Sequence, residues 1–193
     1  DGLTLASKNL AVGRVKANFM NQSYLGALVT NGDPTGQTSN QMVGIDLKLA
    51  TSNFLNRQKN LSLMLFGSKT HTSGLDRKDS SFGGSISYPN DLISLQYKWM
   101  KIGEHYNPAL GFLPRSGVRI SSFNAQISPR PEFWNIRRIP FFIAYDDYYR
   151  VDLGTWETKQ FIVDPINFAF NSGDWVGYEW RYNREKLFEP WMI

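Results

Sequence analysis

The residues of this chain best suited to proton transfer or metal ligation are its two histidines, His71 and His105. They stand far apart, each in a segment that reads as a loop, and no ligand spacing surrounds either one. Serine is plentiful, so a Ser-His-Asp arrangement is chemically open, but no Gly-x-Ser-x-Gly turn adjoins either histidine. Asp146 and Asp147 are neighbouring carboxylates flanked by Tyr145, Tyr148 and Tyr149. Neighbours on a strand face opposite sides, so these two cannot form the facing acid–base pair that glycoside cleavage needs. There is no cysteine, which removes thiol catalysis, disulfides and thiolate metal sites. The reading from chemistry is a protein that is not an enzyme and uses no cofactor or metal.

The best functional candidate is the stretch Gly103 to Gly117, which carries Glu104, His105, Tyr106, Asn107 and Arg115 and is punctuated by two prolines. A long loop with rigid punctuation suits a plug or the lining of a mouth. The competing expectation is a structural bend, with Pro108, Leu110, Phe112 and Pro114 buried against a wall.

The elements that must position these groups are strands. Period-two alternation runs through most of the chain and helical periodicity is nearly absent. Asn9 to Met20, Ser23 to Thr30, Gln41 to Thr51, Asn60 to Lys69, Ser81 to Tyr88, Leu92 to Ile102, Val118 to Ile127, Arg138 to Tyr149, Glu157 to Phe170 and Trp175 to Tyr182 make about ten strands. Val43, Ile45, Leu47 and Leu49 share one face of the third, and Gly44, Asp46, Lys48 and Ala50 share the other.

Globular strands average about 5–6 residues, and a strand tilted across a bilayer needs about 9–11. Most of these run at the longer figure. Short turns at Asn21-Gln22, Pro89 to Asp91 and Asn171 to Asp174 alternate with longer loops at Asn31 to Ser39, Thr70 to Asp79, Gly103 to Gly117 and Arg150 to Thr155. Short periplasmic turns and long external loops give outer-membrane barrels this alternation. Ser52 to Lys59 and Ser128 to Asn135 are of middling length and fit it less well.

Aromatic residues make up 15% of the chain, enough for interfacial rings of Trp and Tyr. Mean hydropathy is −0.37, and no apolar run approaches the roughly 18–20 residues of a membrane helix. Net charge is +4, with Lys and Arg scattered, so no nucleic-acid footprint is present. Burying Lys or Arg at a bilayer midplane costs about 2–4 kcal/mol. Arg14, Lys16, Asp46, Lys48, Lys98, Glu179 and Arg181 are therefore expected to face a hydrated lumen. Asn21-Gln22-Ser23 and Asn60-Leu61-Ser62 match the glycosylation pattern, which in a bacterial barrel is chance.

Asn107-Pro108-Ala109-Leu110-Gly111-Phe112-Leu113-Pro114-Arg115-Ser116-Gly117-Val118-Arg119 resembles a signature of Bacteroidetes-type outer-membrane proteins of the DUF5916 type. In that family a carbohydrate-binding-module-like domain precedes a β-barrel of unknown function. Val12 to Val15, Tyr24 to Asn31, Ser85 to Leu92, Phe168 to Asp174 and Leu187 to Trp191 are similar in colinear order. The resemblance covers nearly the whole chain. It implies a bacterial outer-membrane location and a link to glycan or nutrient handling, and it supplies no catalytic residue.

The family's N-terminal domain is missing here, and Glu189 to Ile193 matches an internal stretch of the family, so the chain reads as a barrel segment. No signal peptide is visible at Asp1.

The expected fold is thus all-β: an antiparallel up-and-down transmembrane β-barrel, or a segment of a larger one, in a single domain over 1–193. The expected role is a pore, transport component or surface scaffold. Its partners would be outer-membrane lipid and the remaining barrel strands or other outer-membrane subunits, with no nucleic acid. The alternative is a soluble antiparallel sandwich or barrel that binds glycan through surface Trp and Tyr. A barrel-embedded hydrolase using His71 or His105 ranks third.

Overall fold

The computed structural model describes residues 8–36, 38–75, 77–131 and 133–188. These residues form an antiparallel, up-and-down, all-β structure with no α-helix. Its strands are β1 (Ala11–Phe19), β2 (Ser23–Asn31), β3 (Asn40–Thr51), β4 (Leu61–Thr72), β5 (Ser80–Pro89), β6 (Ile93–Ile102), β7 (Val118–Ile127), β8 (Ile136–Arg138), β9 (Phe141–Arg150), β10 (Thr155–Phe170) and β11 (Trp175–Glu185). The order in the sheet follows the chain, with β7 beside β9 and the short β8 beside β10. β1 and β11 end that order, and among the described residues no pairing joins them into a closed barrel.

The chain groups into two compact units: Asp1–Leu49, Met64–Gly84 and Met100–Val118 in the first, and Ala50–Leu63, Ser85–Trp99 and Arg119–Ile193 in the second. In the first unit the register of β1, β2 and β3 sets side chains in rows. Gly13, Val29 and Val43 form one row, Val15, Ala27 and Ile45 the next, and Ala17, Leu25 and Leu47 the third.

These apolar rows face outward from the unit: Val15 is 73% exposed, Ile45 62% and Val43 54%. The other face is the shielded one. Asn40, Thr70, Thr72 and Ser81 are all buried, so polar side chains occupy positions that a water-soluble sheet reserves for aliphatic ones.

In the second unit the register gives the rows Ile143, Val163 and Trp180, then Tyr145, Phe161 and Tyr182. β10 is long because it absorbs two irregularities, at Trp156/Thr158 and at Val163/Ile166. Pro165 sits within the second, where its missing N–H costs no ladder bond.

The single strand expected over Arg138 to Tyr149 is split. β8 ends at Arg138 and β9 starts at Phe141, both pairing with β10. Pro140 stands in the gap, for the same reason.

Two further expectations change. β4 extends to Thr72, so His71 lies on a strand and not in a loop. The connection 151–154, expected to be among the long ones, is a four-residue turn closed by Arg150, whose guanidinium donates to both oxygens of Asp152 at 2.9 and 2.5 Å. The connections 52–60 and 128–135 are longer than that, so alternation of short and long loops holds at 20–22, 32–39, 73–79, 90–92, 103–117 and 171–174 and fails at these three.

Candidate functional site

The polar face of β1–β3 is built across a glycine. Lys16, Gly26 and Asp46 are register partners. A Cβ on Gly26 would stand 2.6 Å from Asp46 Oδ1, so only glycine leaves that carboxylate its place. Arg14 reaches it over the gap, its guanidinium donating to Oδ1 at 2.9 Å and to Oδ2 at 3.0 Å. Beside this pair the Lys16 ammonium lies 4.0 Å from the centre of the Tyr24 ring, and Tyr24 is the register partner of Lys48. Four of the residues expected to face water together, Arg14, Lys16, Asp46 and Lys48, therefore share one patch.

The segment 103–107 is fastened to the same unit. Gly103 N–H donates to the Ser80 carbonyl at 2.8 Å, and His105 N–H to the Lys78 carbonyl at 3.0 Å. A Cβ on Gly103 would meet the Lys78 carbonyl oxygen at 2.0 Å, so this approach of two backbones demands glycine.

His105 Nδ1 lies 3.0 Å from the Arg77 carbonyl, which can only accept, so Nδ1 carries the proton. Tyr106 Oη is 2.8 Å from Ser68 Oγ and donates to Met42 Sδ at 3.4 Å. Asn107 N–H donates to Thr70 Oγ1 at 3.2 Å, and Asn40 Nδ2 donates both to the Asn107 carbonyl at 2.8 Å and to Thr72 Oγ1 at 2.7 Å. Glu104 accepts from Lys78 at 2.6 Å on the exposed side.

The loop is thus pinned through its first five residues on the polar side of β3 and β4. Beyond them the bend expected to be buried is only partly covered, with Pro108 and Leu110 half-buried and Phe112 and Pro114 exposed. Phe112 is 89% exposed, because the backbone anchors to the strands end at Asn107 and leave the following turn outside. Pro114 and Arg115 lie in that turn as well.

The other expected residues are elsewhere. Glu179 and Arg181 pair at 2.9 Å along β11, and Lys98 is exposed on β6. Asp146 and Asp147 sit opposite Gln160 and Lys159 and so on opposite faces of β9. His71 helps line a groove of about 400 Å³ with Asn31, Gln41, Val43 and Lys69. The anchoring residues Asn40, Ser68, Thr70 and Thr72 went unread in the sequence. Thr70 and Thr72 continue the polar period of Ser68 beyond Lys69, and that continuation was the available signal.

In the connection 32–39 the Asp33 carboxylate accepts from both the hydroxyl and N–H of Thr35, at 2.7 and 2.9 Å, and of Thr38, at 2.9 and 3.0 Å. These bonds, the Thr35 hydroxyl first, hold its pKa well below the ordinary carboxylate value. Asp152 is likewise held low, chiefly by Arg150.

No helix among the described residues is long and apolar enough to cross a membrane, which leaves crossing by strands open. No family model, curated protein or solved structure matches this chain.

Proposed function

We propose that this chain is a wall of a bacterial outer-membrane β-barrel, its apolar rows against lipid and its polar face toward water, in a pore, transport component or surface scaffold. The observation that carries this reading is the inverted amphipathicity of β1–β4. Val15, Val43 and Ile45 are more than half exposed, while Asn40, Thr70 and Thr72 are buried. Water penalises that arrangement at about 25 cal/mol for each Å² of apolar surface left out, whereas lipid rewards it.

On this reading β1 and β11 present unpaired strand edges that further strands of a larger barrel satisfy, since open edges do not persist in hydrocarbon. The pinned segment 103–107, with Tyr106 over Ser68, narrows the watered side. The resemblance to DUF5916-type proteins points the same way and suggests a solute related to glycans.

The test is flotation with phosphatidylcholine vesicles after refolding, with and without detergent. The expected outcome is carbonate-resistant co-flotation. A monodisperse, folded chain that stays in water without detergent contradicts the proposal.

A second reading, glycan binding outside a membrane, has one observation on its side: Trp180 and Tyr182 lie stacked, 6.3 Å apart and both exposed. Retention on a glycan matrix, lost in W180A, distinguishes it.

A further inference from the structure

The apolar face of β9–β11 changes character in a fixed order along the strands. The row Ile143–Val163–Trp180 is followed by Tyr145–Phe161–Tyr182, and that by Asp147–Lys159–Arg184. One step further Trp156 pairs with Tyr149. Ile143 and Val163 beside Trp180 thus give way to an all-aromatic row, then to a charged row bordered by the Trp156–Tyr149 pair, on one face, toward the turn 151–154. A bilayer presents the same sequence of environments: hydrocarbon, the interface that Trp and Tyr prefer, then phosphates.

The cations of the last rows are held by rings. Arg184 Cζ lies 4.6 Å and Lys159 Nζ 5.8 Å from the Trp156 ring centre, and Arg119 Cζ lies 4.6 Å from that of Tyr149. A guanidinium on a ring face keeps its N–H edge for an oxyanion. Among the described residues no carboxylate forms an ion pair with any of the three. Asp147 in the same row offsets one charge of three.

We infer that Arg119, Lys159 and Arg184, set on Tyr149 and Trp156, form a binding site for the phosphate of a membrane lipid headgroup. The inference rests on the membrane reading above.

The test inserts the chain into phosphatidylcholine vesicles containing a minor fraction of phosphatidic acid. The complex is then extracted in mild detergent, and retained lipid is quantified by mass spectrometry. The wild-type chain is expected to enrich phosphatidic acid. The variant K159Q/R184Q is expected to bind it about 30-fold more weakly, and R184Q alone, an exposed edge-strand change, about fivefold. R57Q/K59Q, with the same loss of charge in the connection 52–60, is expected to stay within about twofold of wild type.

Unchanged enrichment in R184Q and K159Q/R184Q overturns the site while leaving the membrane reading intact. Complete competition by equimolar inorganic phosphate overturns it in favour of a free-anion site. Failure of the wild-type chain to enter vesicles overturns the membrane reading, and the lipid site with it.

Discussion

Two regions of the molecule solve the same problem differently. In β1–β3 the exposed face is aliphatic for three successive rows and ends in neutral amides, Asn31 and Gln41, whose side chains bond at 3.1 Å. In β9–β11 the corresponding face carries Ile143 and Val163 beside Trp180, then an aromatic row, then the charged row Asp147–Lys159–Arg184 bordered by Trp156 and Tyr149. Their polar faces differ too. That of β3 and β4 carries the pinned segment 103–107 over buried Asn40, Thr70 and Thr72. That of β9–β11 carries side-chain pairs such as Gln160 donating to Asn183 at 2.8 Å. One pattern of alternation therefore defines two faces everywhere. The row-by-row chemistry then gives the first region a covered polar wall and the second a face of aromatic and charged rows.

The comparison breaks most visibly at the centre of the aliphatic rows. I45R in a bilayer is expected to lose about 2–4 kcal/mol of folding free energy, and Q41R, at the row's end, about 0–1 kcal/mol. Titration with denaturant in vesicles measures both, and equal small losses contradict a lipid-facing row. Next, N40A removes two hydrogen bonds from a buried position and is expected to cost about 1–3 kcal/mol. The matched change Q160A on the β9–β11 polar face should cost about 0.5 kcal/mol or less. Hydrogen exchange should show 103–107 losing protection in N40A only.

Smaller still is the Arg14–Asp46 coupling. A double-mutant cycle with R14M and D46N is expected to give about 0.2–1 kcal/mol, since the arginine is nearly half exposed. The smallest effect concerns pH. Because Asp33 is depressed below its ordinary value of 3.8, the order it lends to 32–39 is complete above that value and is lost only as pH falls through the lower, folded one. Amide protection of Thr35 and Thr38 should persist at pH 4 and be absent in D33N.

Much of the fold was legible because alternation has a period of two and leaves a trace in every strand. Val118 to Ile127 was read residue for residue, and β3 to within one residue. Two kinds of feature were not legible. Breaks such as the β8–β9 gap and the irregularity at Pro165 depend on which neighbour lacks a partner donor, and that is a property of pairing.

The turn conformations were equally hidden. Met20, Leu55 and Trp134 adopt positive φ of 50°, 55° and 53°, where Gly or Asn would have been the readable signal. Of the candidate site, spacing put Arg14 with Lys16 on one face of β1 and Asp46 with Lys48 on one face of β3, whereas their meeting in one patch is set by the register through β2. The anchors of 103–107 did not, because Asn40 and Asn107 are separated by 67 residues and nothing local links them.

The absence of cysteine allows a direct test, since any cysteine introduced is unique. Nitroxide labels at I45C and D46C in vesicles should divide sharply. Collisions with dissolved oxygen should dominate at position 45, and collisions with a water-soluble nickel chelate at position 46. Equal access of the nickel chelate to both positions would contradict a sheet that holds lipid on one face and water on the other.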